Sequence, residues 1–165
     1  MRRQEAEQAI KLKIETYGWT LMFVSKQQRQ QGPDWAYTIG LLKSFGHPEV
    51  VIVGASRDGS AAFLNTVAEQ VRDGRRFSPG VRVQSVCEPP FVCAFKSVPS
   101  SAAPFFLGAA CRYYGDADRF TCLQMFVADR DNCLPWEPGA DPESRRWQVD
   151  LSLVADAAKF TVGDG

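Results

Sequence analysis

The chain holds one histidine, His47, two residues before Glu49. An imidazole titrates near neutrality, and a neighbouring carboxylate fixes its tautomer, so the pair has the makings of an acid–base unit. Asp129 and Glu137 are further carboxylates that a fold could bring to it, and Tyr37 adds a hydroxyl. The candidate catalytic residues are therefore His47, Glu49, Asp129 and Glu137, serving a small hydrolase or transferase. The same residues also have a structural reading. His47 precedes Pro48 and suits an extended turn, Glu49 suits an ion pair with an arginine, and Tyr37 suits a buried ring whose hydroxyl meets the backbone. Geometry decides between the two. His47 within hydrogen-bond reach of Glu49, Asp129 or Glu137 supports catalysis, and His47 packed away from every carboxylate removes it.

Other chemistries find less support. Cys93 and Cys122 stand among apolar residues, where thiols usually pack and stay inert, and Cys87 and Cys133 stand nearer loops without a spacing that pairs them with His47. Zinc needs four Cys or His ligands at short spacings, which one histidine and scattered cysteines do not offer. Asp129, Asp131 and Asp141 lack a calcium-loop pattern. No phosphate-binding glycine motif occurs, although Gly54–Gly59 joins a strand to a helix start, and that stretch is read as a helix cap. No metal and no cofactor is expected. A binding surface is the alternative to catalysis. Trp35, Tyr37, Phe45 and Trp136, with His47, would line an aromatic groove for another protein if the fold gathers them. As bare aromatics they serve equally well as core.

The elements that would position these groups come from the whole chain. Its 165 residues fit one domain with a real core, and its 19 basic residues balance 19 acidic ones. That balance argues against nucleic acid as a partner, since phosphates call for a positive surplus. The Arg72, Arg75 and Arg76 cluster falls at a helix end, where cations complement the dipole. No apolar run reaches membrane-span length, the charged start does not resemble a signal peptide, and the five cysteines are odd in number and spread out. A cytoplasmic protein with reduced thiols is expected.

Ala6, Ile10 and Ile14 predict a helix over 3–16 that Gly18 ends. Strands are predicted at 19–24, 35–41 and 49–54, joined by a polar hairpin-type connection at 25–32 and a turn at 45–48, with Gly40 as a candidate bulge. Leu64, Val67, Ala68 and Val71 mark the clearest helix, 56–73, capped by Ser56 or Asp58. Val81, Val83 and Val86 suggest a short strand. Strands at 91–98 and 120–127 flank a helix begun at Pro99 and ended at Gly115. Residues 129–143 form a proline-rich acidic loop anchored by Trp136. The alternation of Trp147, Val149, Leu151 and Leu153 predicts a last strand, and 155–165 a short, fraying helix. The expected architecture is α+β: one domain over 1–165, a mostly antiparallel sheet with about three helices packed on it.

Two stretches carry a resemblance. Gly18-Trp19 with Gly32-Pro-Asp-Trp-Ala-Tyr-Thr-Ile-Gly-Leu41 and Gly46-His-Pro-Glu-Val-Val51 resembles the opening of the bacterial family called domain of unknown function 4262. Gln124-Met-Phe-Val-Ala-Asp129 followed by Leu134-Pro-Trp-Glu-Pro-Gly139 resembles its closing motif, with Val127-Ala128 where that family tends to have Trp-Pro. The likeness spans about 18–140 and implies no activity. If the two motifs form one site, the Gly-His-Pro-Glu turn and the Pro-Trp-Glu loop lie side by side. The function expected from size, charge and aromatics is a non-enzymatic binding or interaction domain, of the accessory or toxin-neutralising immunity type.

Overall fold

Among the described residues, five short strands pair into a single sheet. They are β1 (Thr20–Val24), β2 (Trp35–Ile39), β3 (Glu49–Val53), β4 (Cys93–Ser97) and β5 (Cys122–Val127), in the spatial order β1-β2-β3-β5-β4. The computed structural model describes residues 2–25 and 32–154. All neighbours are antiparallel except β3 and β5, which run parallel with Glu49 opposite Cys122. A parallel pair needs a crossover. Here α3 (Arg57–Arg72) leaves β3, and the chain returns through β4 before entering β5.

Both faces of the sheet are covered, which is why β3 reads Val-Val-Ile-Val without alternation. On one face Trp35, Tyr37, Ile39, Val51, Val53 and Cys122 meet Ile14 of α1 (Arg3–Tyr17) and Phe106, Leu107, Ala109 and Ala110. These last come from α4 (Ala103–Phe106) and α5 (Gly108–Tyr114) with the residue between them. On the other face Ala36, Val50, Ile52, Phe95, Leu123 and Met125 lie under Leu64, Val67, Ala68 and Val71 of α3, together with Phe77. Truncating one such side chain, Leu64 for example, costs about 2–5 kcal/mol in a well-packed interior.

The expected α+β single domain with a mostly antiparallel sheet is present, and the three expected helices are α1, α3 and the α4–α5 pair. Gly18 and Gly115 take left-handed conformations as C-caps, and Ser56 accepts from the Gly59 N–H as the N-cap of α3. Two helices are additional: α2 (Leu41–Phe45) and α6 (Pro142–Trp147). Gly40 is not a bulge. It is the left-handed N-cap of α2, where an added Cβ would sit 2.6 Å from the Gly18 carbonyl oxygen. The predicted strand at Val81–Val86 is reduced to one bridge, Val83 to Cys93. The predicted last strand is absent. Trp147 ends α6 and Leu151–Leu153 is a single 3-10 turn. The sheet has no place for it beside β5, whose two neighbours are β3 and β4. Side-chain amides hold that segment instead, Gln148 bonding both ways to Val127 at 2.9 Å, and Gln124 reaching Val149 at 2.7 Å and Leu151 at 2.8 Å. The connection at 26–31 and the tail at 155–165 lie outside the described residues.

Candidate functional site

Glu49 opens β3 and is fully buried. Its Oε1 accepts from the Thr38 hydroxyl at 2.8 Å and the Leu41 N–H at 3.1 Å. Its Oε2 accepts from the Gly40 N–H at 3.0 Å, the Leu42 N–H at 3.3 Å and the Tyr114 hydroxyl. Three of these donors are the first N–H groups of α2, which local residues leave uncapped. A carboxylate there also complements the helix dipole. Burial pushes the pKa of Glu49 up, and the hydroxyls of Tyr114 and Thr38 and the backbone donors oppose the rise. The same contact and burial hold the Tyr114 phenol far above its ordinary value.

His47 is 1% exposed and faces the other way. Its Nδ1 donates to the Pro48 carbonyl at 2.7 Å, and its Nε2 accepts the Phe77 N–H at 3.0 Å. The Phe77 ring meets the imidazole edge-on at 5.9 Å. Both nitrogens are engaged by backbone, a pattern that only the neutral ring satisfies, and burial lowers its pKa accordingly. Among the described residues, neither nitrogen bonds to a carboxylate.

Asp129 and Glu137 follow β5. Asp129 accepts from the N–H groups of Asp131, Cys133 and Asp141 at 2.9, 3.0 and 2.8 Å. Those bonds, the one from Asp141 first, hold its pKa below the ordinary value. Glu137 accepts from the Leu134 N–H at 2.7 Å and pairs with Arg82, whose guanidinium lowers its pKa. Asn132, at a left-handed φ of 59°, ties this loop to the segment before β4 through Pro90 and Val92, both at 3.0 Å.

The two motifs are therefore not side by side. The Gly46–Glu49 turn precedes β3 and the 129–139 loop follows β5, so the parallel pairing places them at opposite ends of the sheet. They also pack on opposite faces. His47 lies with Phe77 and Phe95 on the α3 face, and Trp136 meets Phe126 on the other, their rings 5.1 Å apart. The structure joins neither His47 to Asp129 nor Glu49 to Glu137.

The aromatic candidates separate in the same way. Trp35 is buried, with its indole N–H on the Phe106 carbonyl at 2.8 Å. Tyr37 is buried, and its hydroxyl accepts the Ala109 N–H at 3.1 Å. Burial raises its pKa to about 12. Phe45 packs half-buried on Trp19. Trp136 is the one that faces solvent, at 42% exposure. It borders a cavity of about 390 Å³ whose walls include Phe126, Pro135, Val149 and Leu153. The Lys96 ammonium sits 4.3 Å above the Trp136 ring and pairs with Asp150 at 2.8 Å. Arg145 is aimed across the same groove by the carbonyls of Pro135 at 2.6 Å and Glu137 at 3.2 Å.

Lys96, Arg145 and Asp150 are absent from the candidates drawn from sequence. They reach the groove from β4, α6 and the turn beyond it, and nothing local links them. Tyr114, which completes the Glu49 cluster, stands 65 residues away and carries no local signal either. Among the described residues, no group of three or more His, Cys, Asp or Glu is placed to hold a metal ion, and no helix is long and apolar enough to cross a membrane.

No curated protein and no solved structure matches the chain. Residues 13–141 match the family described as Domain of unknown function (DUF4262), a span that takes in both motifs, the Glu49 cluster and Trp136. On that match the chain belongs to the domain of unknown function 4262 family.

Proposed function

We propose that this chain is a non-enzymatic binding domain whose recognition surface is the groove beside Trp136, and that the groove takes an acidic segment of another protein. One observation carries the proposal: a half-exposed tryptophan, capped by a lysine, beside an apolar cavity of about 390 Å³. A buried apolar floor next to an exposed indole is the usual build of an interface anchor. Charge selects the partner. The groove carries two cations, Lys96 and Arg145, against one anion, Asp150. A segment placing an apolar side chain in the cavity and a carboxylate at Arg145 meets both needs. The non-enzymatic part rests on the engaged groups elsewhere. Both nitrogens of His47 are taken by backbone, and Glu49 accepts from five donors. An accessory or toxin-neutralising protein acts in this way, by occupying a surface.

The test is fluorescence anisotropy against a library of labelled peptides in which acidic and apolar content vary independently. Peptides rich in both should bind the full chain. Trp136→Ala should weaken them by roughly 30-fold, the loss expected on truncating an anchor worth about 2 kcal/mol. Arg145→Gln should weaken them less and flatten the salt dependence. Binding that is indifferent to peptide acidity, or unchanged in Trp136→Ala, refutes the proposal.

A further inference from the structure

The two edges of the sheet are finished differently. β4 forms one edge, and backbone covers it. The Gly80 N–H donates to the Phe95 carbonyl at 3.0 Å, and Val83 and Cys93 bond in both directions at 2.7 and 3.0 Å. Lys96 adds a charge to the same strand. β1 forms the other edge. Its register against β2 runs unbroken from Thr20–Ile39 to Val24–Trp35, so no bulge turns it away. Its sequence, Thr-Leu-Met-Phe-Val, holds no charge, no proline and no glycine. Among the described residues, no backbone hydrogen bond reaches 20–24 from outside the β1–β2 ladder. Arg57 and Arg72 lie over the rings of Phe23 and Trp19, at 4.3 and 6.0 Å, and so cover side chains rather than that backbone.

An edge strand directs alternate N–H and C=O groups outward, and natural sheets blunt such edges with lysine, proline or a bulge. β4 follows that practice and β1 does not. An unblunted apolar edge is a template for one more strand.

We propose that β1 pairs antiparallel with β1 of a second copy of this chain, about a two-fold axis at Met22, so that the two sheets become one. The strand itself selects this occupant. Both of its faces continue a core, Leu21 and Phe23 on the α3 side and Met22 and Val24 on the other. An added strand must therefore be apolar on both faces, as β1 is. Leu21, Met22, Phe23 and Val24 are half-buried and keep surface to give to a partner. Residues directly opposed in an antiparallel pair point to the same face, so a strand paired with itself opposes residues an even number apart. Centring on Met22 uses the whole strand. Met22 meets Met22, Leu21 meets Phe23, and Thr20 meets Val24. No charge is opposed to another, and an aromatic–aliphatic pair recurs on each side of the axis. A strongly charged segment would find no counter-charge within the strand. The formal net charge of zero leaves no long-range repulsion between copies. The contact is isologous and closes at two chains. Lys96 and Phe126 place the Trp136 groove on the β4–β5 side of the sheet, so both grooves stay open in the pair.

Sedimentation velocity over a concentration series up to about 1 mM, where even a weak pair forms, reads the association. Hydrogen exchange with mass spectrometry, on dilute and concentrated protein, reads its place. Expected are a mass rising from 18.3 kDa toward twice that value and slower exchange in the peptide that holds residues 20–24. Met22→Lys sets two ammonium groups against each other at the axis and should weaken pairing by about 10-fold or more while keeping the far-UV circular dichroism spectrum. The wild-type exchange map decides even if Met22→Lys fails to fold. A chain that stays at 18.3 kDa throughout, added protection that falls outside residues 20–24, or a folded Met22→Lys protein that pairs as tightly as wild type overturns the proposal.

Discussion

Replacing Glu49 by glutamine removes one negative charge and almost no volume, so it isolates what the carboxylate does as an acceptor. The carboxylate takes two donors on Oε1, from Thr38 and Leu41, and three on Oε2, from Gly40, Leu42 and Tyr114. A carboxamide keeps one oxygen and turns an NH2 on the other set. Its better orientation places the oxygen at Oε2 and the NH2 at Thr38 and Leu41. The Thr38 hydroxyl can rotate to accept, which leaves the Leu41 N–H facing a donor. A buried unsatisfied donor costs about 1–3 kcal/mol. The three retained bonds lose their charge assistance and with it roughly half their strength. Relief of the carboxylate's desolvation offsets part of this. The net loss is about 3 kcal/mol, or roughly 6–12 °C in Tm for a domain of this size. Tyr114→Phe removes one donor and leaves four, and should cost about 1 kcal/mol. Glu49→Ala orphans all three α2 N–H groups and should cost roughly 5 kcal/mol. Urea unfolding followed by far-UV circular dichroism gives all three values. A Glu49→Gln protein that unfolds at the wild-type midpoint refutes the view that this carboxylate anchors α2.

Two further outcomes test the surrounding geometry. Burial holds the folded pKa of His47 below its ordinary 6.5, so below that pH the unfolded chain binds the extra proton more readily than the folded one. The stability that His47 contributes is complete above about pH 6.5 and falls as pH is lowered through that value. His47→Asn, measured by urea unfolding over about pH 5–8, should lose that part of the slope, and an identical slope in both proteins contradicts the neutral, backbone-bonded ring. Gly54 carries a φ of 87°, and an added Cβ would sit 2.1 Å from the Trp147 carbonyl oxygen. Gly54→Ala should therefore cost more than about 2 kcal/mol and raise the acrylamide quenching of Trp147, which is already 42% exposed, and unchanged quenching counts against that close approach.

How legible each element is depends on where its determinants lie. The stripes of α1 and α3 and the apolar runs of the five strands are local, so periodicity alone reveals them. The caps Gly18, Ser56 and Gly115 are local as well. The short α2 is invisible because its cap is Glu49, seven to nine residues downstream and already in the next strand. By contrast α6 has a local signal in Asp141-Pro142-Glu143, a capping acid with proline at the first helical position, and the Asp141 side chain does accept from the Glu143 N–H at 3.0 Å. The alternation from Trp147 to Leu153 competes with that signal and suggests a strand instead. In the fold the helix signal wins as far as Trp147, and the Gln124 and Gln148 side chains hold the rest of the segment. The candidate site fares differently for a related reason. His47 and Glu49 are near in sequence, yet one meets the α3 face and the other meets α2, because Pro48 and the strand start turn them apart. The groove residues Lys96, Trp136, Arg145 and Asp150 belong to four separate segments, and only the folded topology assembles them.

The acidic residues by which the chain resembles its family share one physical role. Glu49 satisfies three backbone N–H groups at the entrance to β3, and Asp129 satisfies three in the loop leaving β5. Glu137 satisfies the Leu134 N–H and holds Arg82. Each carboxylate therefore organises irregular backbone at one end of the parallel β3–β5 pair, where donors exceed the acceptors that regular structure supplies. Such carboxylates have their lone pairs committed before any substrate arrives, which makes them poor general bases and good scaffolding. Trp136 sits in the same loop but is not needed to satisfy any backbone group. Its exposed indole is held in place by scaffolding that Asp129 and Glu137 provide, and that division of labour directs the search for function to its groove.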